Sequence, residues 1–350
     1  MNGHKNSFSQ RAKRPYYTVC DDACGSAEEK SLLSHIAQSE KNTNNAPKVC
    51  FMVSSLRAIC QQNVSKAQCT KVRLEGRMRI TCVVDNCVAQ GSALWGEHGL
   101  AFLIETGETA ILWDTGQSGD VLRHNLQALG LERADVRVIA LSHAHYDHTG
   151  GLGVALACFP RAKGFAHPAI LEPRYALREG KHQAIGLAEE ARRWLSSVEV
   201  SLVEEPVALT EGVWTTGEIR KRPFPEGRST HHMAMREGHL VPDDYRDDLS
   251  LVLQVPGGIA LLCGCCHAGL RNTLATVQSQ YREPIVAILG GTHLGGASDG
   301  EILSLVETLR ALGSPRLYLN HCTGDRALHM LASYLGEAVQ HCPAGTVITF

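Results

Sequence analysis

Six consecutive residues, His143-Ala144-His145-Tyr146-Asp147-His148, constrain the fold of this chain more than any other segment. They follow Val136-Arg137-Val138-Ile139-Ala140-Leu141, an apolar run with the length and composition of a buried strand. Thr149-Gly150-Gly151-Leu152 then opens a segment of helical composition. Alternation along a strand puts His143 and His145 on the same side of the chain. The turn beyond swings Asp147 and His148 toward a neighbouring point. Neutral imidazole nitrogen and carboxylate oxygen are the donors zinc-like ions take, so this cluster suits one or two divalent cations. The competing reading is a polar loop rich in histidine by chance. Several ligand types packed at one strand end argue against it.

The rest of the chain supplies a scaffold for such a site. From Met78 onward, short apolar segments alternate with turns. Residues 79–85 alternate as a strand, and residues 100–105 and 109–113 flank Thr106-Gly107-Glu108 as a hairpin. Helical spacing runs over 118–129 and 151–158, and more strongly over 181–195. Strands are expected at 198–203 and 212–216, and a second hairpin at 249–255 and 259–263 around Pro256-Gly257-Gly258. A helix over 273–281, a strand over 285–289, a helix over 300–312 and a strand over 316–319 complete the pattern. The order is that of an α/β protein. Residues 1–77 differ: they carry twelve basic and six acidic residues, a net +6 against −8 for the remainder, and include the polar stretch 39–47. They read as a largely disordered N-terminal extension, with the catalytic domain at 78–350.

Composition excludes several classes. No apolar run approaches the roughly 18 residues that span a bilayer, and the polar start lacks the apolar core of a signal peptide. A cytoplasmic location with no membrane partner is the expectation. The basic extension has no aromatic interleaving, so no nucleic-acid partner is expected and a small-molecule substrate is. Thirteen cysteines without a secretion signal read as reduced thiols rather than a disulfide framework. Cys20 and Cys24 have the beginnings of a zinc site but no second pair at finger spacing.

The His-x-His-x-Asp-His pattern resembles the signature of the metallo-β-lactamase superfamily. That resemblance implies an αβ/βα sandwich, two mixed β-sheets flanked by helices, with a one- or two-metal site at one edge. Zinc is the first expectation, and manganese or iron the alternatives. Asp114-Thr115-Gly116 matches the Asp-x-Gly element of that superfamily. Asp114 is thereby expected to orient a ligating imidazole, and with Asp147 to form the catalytic carboxylates. His143, His145, Asp147 and His148 need further ligands. His321, at another strand end before Gly324, is the candidate for the second metal. In Gly264-Cys265-Cys266-His267-Ala268-Gly269 the resemblance puts Cys265 where many relatives have a bridging Asp. His267 is the preferred ligand there and Cys265 the alternative, since both imidazole and thiolate bind zinc. His167 is a further candidate, with a capping or outer role as its other reading. Asp248, His293, Arg220 and Arg222 are expected to contact substrate.

Further segments sharpen the resemblance. They include Val84-Asp85-Asn86, Glu97-His98-Gly99-Leu100, Asp247-Asp248, Gly290-Gly291-Thr292-His293-Leu294 and His321-Cys322-Thr323-Gly324. Together they resemble the dihydropteroate-synthase-like branch over about Met78 to Thr349. The chain departs from that branch at Leu249-Ser250, where Gln-Ala is usual, and at Cys266, where Ser is usual. Two activities follow as expectations. One is a hydrolase that uses metal-activated water on an ester, lactone or phosphoester bond. The other is a transferase that condenses a dihydropterin pyrophosphate with an aminobenzene ribofuranosyl phosphate-like partner, its phosphates met by the Arg220-Lys221-Arg222 run. A metal-binding protein without catalysis is a third class, marked by metal loss without loss of turnover.

Overall fold

A computed structural model describes residues 78–107 and 109–350. The expected extension at 1–77, with Cys20 and Cys24, lies outside the described residues. The strands of the first half are β1 (Arg79–Val84), β2 (Ala101–Glu105), β3 (Ala110–Trp113), β4 (Val136–Ala140), β5 (Lys163–Ala166), β6 (Arg174–Arg178), β7 (Lys181–Ala184) and β8 (Val200–Leu202). Those of the second are β9 (Ala208–Thr210), β10 (Val213–Thr215), β11 (His232–Arg236), β12 (His239–Pro242), β13 (Ser250–Val255), β14 (Gly258–Cys263), β15 (Ile285–Gly290), β16 (Arg316–Leu319), β17 (Val339–His341) and β18 (Val347–Thr349).

Two seven-stranded sheets form the frame, in the orders β18-β1-β2-β3-β4-β5-β8 and β17-β16-β15-β14-β13-β10-β9. Both are mixed. β1, β2 and β3 are antiparallel neighbours, whereas β3-β4-β5-β8 run parallel. In the second sheet β10, β13 and β14 are antiparallel and β14-β15-β16-β17 parallel. Strand alternation splits the core accordingly. Ile80, Phe102, Ile104, Ile111 and Trp113 of the first sheet meet Leu251, Leu253, Ala260, Leu262 and Leu289 of the second in one apolar layer. Leu103, Leu112 and Ile139 face the helices Gly119–Ala128 and Leu152–Cys158 on one outside. Leu261, Ile288 and Leu317 face Leu270–Gln280, Asp299–Ala311 and Asp325–Leu335 on the other. Near-continuous burial of β2, β3 and β14 is what strands covered on both faces show. Each fully buried Leu, Ile or Phe side chain contributes about 1.5–3 kcal/mol of transfer free energy.

One expectation is corrected. Residues 181–195 are not one helix but the strand β7 and, after a break, the helix Glu189–Ser197. Glu179 and Gly180 both have positive φ (50° and 74°), which is the signature of a type I′ hairpin turn and closes β6 on β7. Glu237 and Gly238 (50° and 81°) do the same for β11 and β12. These hairpins pair through β6 and β11 into a four-stranded sheet, order β12-β11-β6-β7, that interrupts the sandwich. All the cysteines described are free thiols. Among the described residues no helix is long and apolar enough to cross a membrane.

Candidate metal centre

Parallel strands deliver their C-terminal ends to one edge, and the loops that leave them build the site. β3 ends at Asp114, β4 at the His143–His148 turn, β14 at Cys265–His267, β15 at His293 and β16 at His321. Several of these loop residues have the left-handed backbone rarely taken outside glycine: Asp114 (φ 59°), Cys266 (56°), His293 (48°) and His321 (50°). Such conformations cost on the order of 1–3 kcal/mol each and persist where the surroundings over-determine them. Here the surroundings are a dense set of hydrogen bonds.

The chemistry starts with Asp114, which is fully buried. Its Oδ1 accepts the Ser142 N–H (2.7 Å), and its Oδ2 accepts the Ser142 hydroxyl (2.8 Å) and pairs with His148 Nδ1 (2.7 Å). This puts the His148 proton on Nδ1 and turns Nε2 inward. His148 Nε2 lies 3.2 Å from both His321 Nε2 and Cys265 Sγ. His143 Nε2 lies 3.0 Å from His145 Nδ1. Asp147 Oδ2 is 3.2 Å from His98 Nε2, 3.4 Å from His321 Nε2 and 3.7 Å from His148 Nε2. On the outer side Asp85 Oδ1 accepts the His321 N–H (2.9 Å), and Asn86 Oδ1 lies 3.0 Å from His321 Nδ1. This backing leaves His321 Nε2 facing the cluster.

These donors fit cations better than they fit each other. Among the described residues the buried Nε2 atoms of His145 and His267 have no hydrogen-bond partner, an arrangement that costs about 1–3 kcal/mol per group unless a ligand satisfies it. Donors at about 2.0–2.3 Å from a tetrahedral ion lie roughly 3.3–3.7 Å apart, close to the spacings found. His143, Cys265 and His267 form one buried set able to hold an ion; His148, Cys265 and His321 form a second. Cys265 belongs to both. His98, Asp147 and His321 form a third grouping beside them.

The electrostatics of the cluster suit metal-ligating side chains. Burial, then the neighbouring rings, pushes His143 well below the ordinary imidazole range, and burial does the same to His145 and His267. Burial would raise Asp147, but His148 and His321 outweigh it and hold the carboxyl well below the usual range. Burial alone would lower His148; Asp114 and Asp147 outweigh it and hold it up at about 9. Burial also pushes the Cys265 thiol well up, so a thiolate there requires a cation.

A metal ion held by His148 and Cys265 would displace their protons. Apparent affinity should rise with pH, with His148 contributing until about 9. In the metal-free protein the sign is opposite. A histidine raised from 6.5 to about 9 lends stability that is complete below pH 6.5 and lost as pH rises through 9. Chelator competition and urea unfolding across that window check both halves. An affinity flat with pH would contradict the proton displacement.

Two glycines permit this packing. A Cβ on Gly264 would lie 2.3 Å from Ser142 Oγ, and one on Gly291 2.4 Å from Gly264 O and 2.7 Å from Cys322 Sγ. Gly264→Ala should push Ser142 off Asp114, release His148 and lower bound metal several-fold, read by plasma emission spectroscopy. Wild-type metal content in that variant would show that the Ser142–Asp114 contact is dispensable.

The structure brings His143, His145, Asp147, His148, Cys265, His267 and His321 together. It separates other candidates. His167 joins none of the donor sets: its Nδ1 accepts the Ala169 N–H (3.1 Å), capping a short 3-10 turn, and its Nε2 is 3.8 Å from Glu218. The Nδ1 contact is the capping role, and its buried Nε2 has no hydrogen-bond partner among the described residues. Asp248 is buried and its Oδ2 accepts the Ala268 N–H (2.8 Å), which holds the Cys265–Gly269 turn. Arg220 is tied to Glu204, Glu205 and Glu218. Arg222 is spent on the carbonyls of Ile219, Asp244 and Tyr245 and on Glu226. Internal acceptors thus occupy the two arginines expected to meet phosphate. His293 does line a cavity, with its ring 4.2 Å from that of His267.

Four neighbours carried no assigned role in the sequence. His98 approaches Asp147 as above, and Cys322 joins Cys265 and His293 in a further donor set. Tyr245 stacks on His267 at 4.1 Å and bonds His232 Nδ1 through its hydroxyl (2.7 Å). The His98 and Cys322 segments stood out by resemblance alone. Nothing local marked His232 or Tyr245.

Comparison with known proteins agrees with this geometry. The metallo-beta-lactamase superfamily model matches residues 94–265. A Methanocaldococcus jannaschii protein named 7,8-dihydropterin-6-methyl-4-(beta-D-ribofuranosyl)-aminobenzene-5'-phosphate synthase is 28% identical over 290 residues, covering 78% of this chain and 97% of the relative. An uncharacterized protein of the same organism is 29% identical over 255 residues, covering 72% of this chain and 93% of the relative. A crystal structure described as a metal-dependent hydrolase of the beta-lactamase superfamily superposes with a TM-score of 0.67 at 25% identity, covering 77% of this chain and 98% of that one. With two mixed sheets inside flanking helices and its histidines gathered at their edge, the chain has the fold of the metallo-β-lactamase superfamily.

Proposed function

We propose that this chain is a metal-dependent hydrolase that acts on an ester, lactone or phosphoester bond. The observation that carries the reading is the pair of buried donor sets sharing Cys265: His143 and His267 on one side, His148 and His321 on the other. Imidazole and thiolate donors favour zinc, with manganese or iron as the alternatives. A divalent ion held there supplies Lewis acidity and lowers the pKa of coordinated water from about 15.7 toward about 7.

The chain's own groups set up the rest. Asp147 Oδ2, between His98 and His321, is the carboxylate that orients the nucleophile, beside His98, whose ring is about half-exposed. Asp114 acts through His148, fixing its tautomer, and is a positioning residue. His267 is held between Tyr245 and His293, which fixes its ring plane.

A second reading is supported by the similarity to the synthase over 97% of that relative. It is a transferase that joins a dihydropterin pyrophosphate to an aminobenzene partner. Zinc- or manganese-loaded protein offered p-nitrophenyl phosphodiesters and lactones should release product without a second substrate. Pyrophosphate released only when the amine is present would replace the hydrolase by the transferase.

A further inference from the structure

A cavity of about 680 Å³ adjoins the cluster, with His293 on its wall. That volume falls within the range of small-molecule pockets. The charges along its wall are unevenly balanced. Glu226 is engaged by Arg222 and Arg228, at 2.9 and 3.3 Å. Glu301 accepts both the N–H and the hydroxyl of Ser298, each at 2.7 Å, in a capping box. Both carboxylates on the wall therefore have partners. Among the described residues Arg271 has no carboxylate partner: its guanidinium lies 4.1 Å above the Phe224 ring, and its buried Nε lacks a hydrogen-bond partner there.

The position is rigid. Asn272 clamps the Phe224 segment, accepting its N–H and donating to its carbonyl, each at 2.9 Å. Arg271 stands in the first turn of the eleven-residue helix Leu270–Gln280, whose N-cap Gly269 offers no side-chain acceptor. First-turn N–H groups have no acceptor within a helix and favour negative charge. A half-buried guanidinium, a neighbouring Arg228 and the N-terminal end of a helix have the chemistry that recognises a tetrahedral oxyanion.

We propose that Arg271, assisted by Arg228, seats a phosphate group of the substrate that is not itself cleaved, holding the rest of the molecule toward His293 and the metal cluster. The proposal rests on the assignment of that cluster as the reaction site.

The test is calorimetric titration of full-length, zinc-loaded protein with inorganic phosphate at fixed ionic strength, comparing wild type, R271Q and R271K. Phosphate binding should weaken on the order of tenfold or more in R271Q, with metal content and thermal midpoint unchanged. R271K keeps the charge but loses the fork, and should fall between; it decides the matter if R271Q does not fold. Equal affinity in the variants and wild type would place phosphate on the metals alone and overturn the seat. Acetate binding as well as phosphate would overturn it too, because the pocket would then read charge only. Loss of phosphate binding in R271Q supports the seat even in a protein that hydrolyses no ester, which separates the two proposals.

Discussion

Cys265→Ala is expected to lower bound metal more than any single histidine variant, because Cys265 alone belongs to both the His143–His267 and the His148–His321 sets. His143→Ala or His321→Ala removes a donor from one set and leaves the other complete. Loss of an outer-shell partner already costs 10–100-fold in metal affinity or activity. Removing a shared direct donor should reduce turnover on the order of 100-fold or more. Plasma emission on gel-filtered protein orders the variants. If Cys265→Ala retains as much metal as His143→Ala, the thiol is not shared and His267 alone takes that position.

The second large effect belongs to Asp114→Asn. The carboxylate accepts three hydrogen bonds, from the Ser142 N–H, the Ser142 hydroxyl and the His148 ring. An amide has one acceptor oxygen, so whichever way it turns, its NH2 faces a donor. The His148 ring then loses the partner that fixes its tautomer. Metal affinity should drop about 10–100-fold. Breaking the buried pair should also cost the metal-free protein roughly 3–5 kcal/mol. Chelator competition reads the first and urea unfolding below pH 6.5, where His148 is charged, reads the second. Wild-type values in both assays would mean that Asp114 orients nothing.

Much of the fold was legible because its signals are local. Alternation marked β1, the Thr106-Gly107-Glu108 turn marked the β2–β3 hairpin, an apolar run marked β4, the Pro256-Gly257-Gly258 turn marked the β13–β14 hairpin, and β16 falls where the segment 316–319 placed it. The four-stranded insert was missed for a physical reason. Lys181-His182-Gln183-Ala184 is exposed along its whole length, so no buried face imposes a period of two on its sequence. Its real signal was the Glu179-Gly180 pair, repeated at Glu237-Gly238.

The site divides in the same way. His143 to His148 declare themselves by density, and His267 and His321 by standing at strand ends. Arg220 and Arg222 looked free because Glu204, Glu205 and the Asp244 carbonyl, which engage them, are remote in sequence. Arg271 went unnoticed because its importance is a missing partner, which only a folded chain reveals.

The wide sequence separation between His143 and His321 has a mechanical consequence. Their loops hang from different sheets, and the contact between the His148 and His321 rings closes only when the two halves of the sandwich have met across the Trp113–Leu289 layer. A cation captured there fastens the first half of the polypeptide to the second, like a clasp on a hinged case. Chelation should therefore loosen the seam between the sheets before either sheet frays at its outer edge.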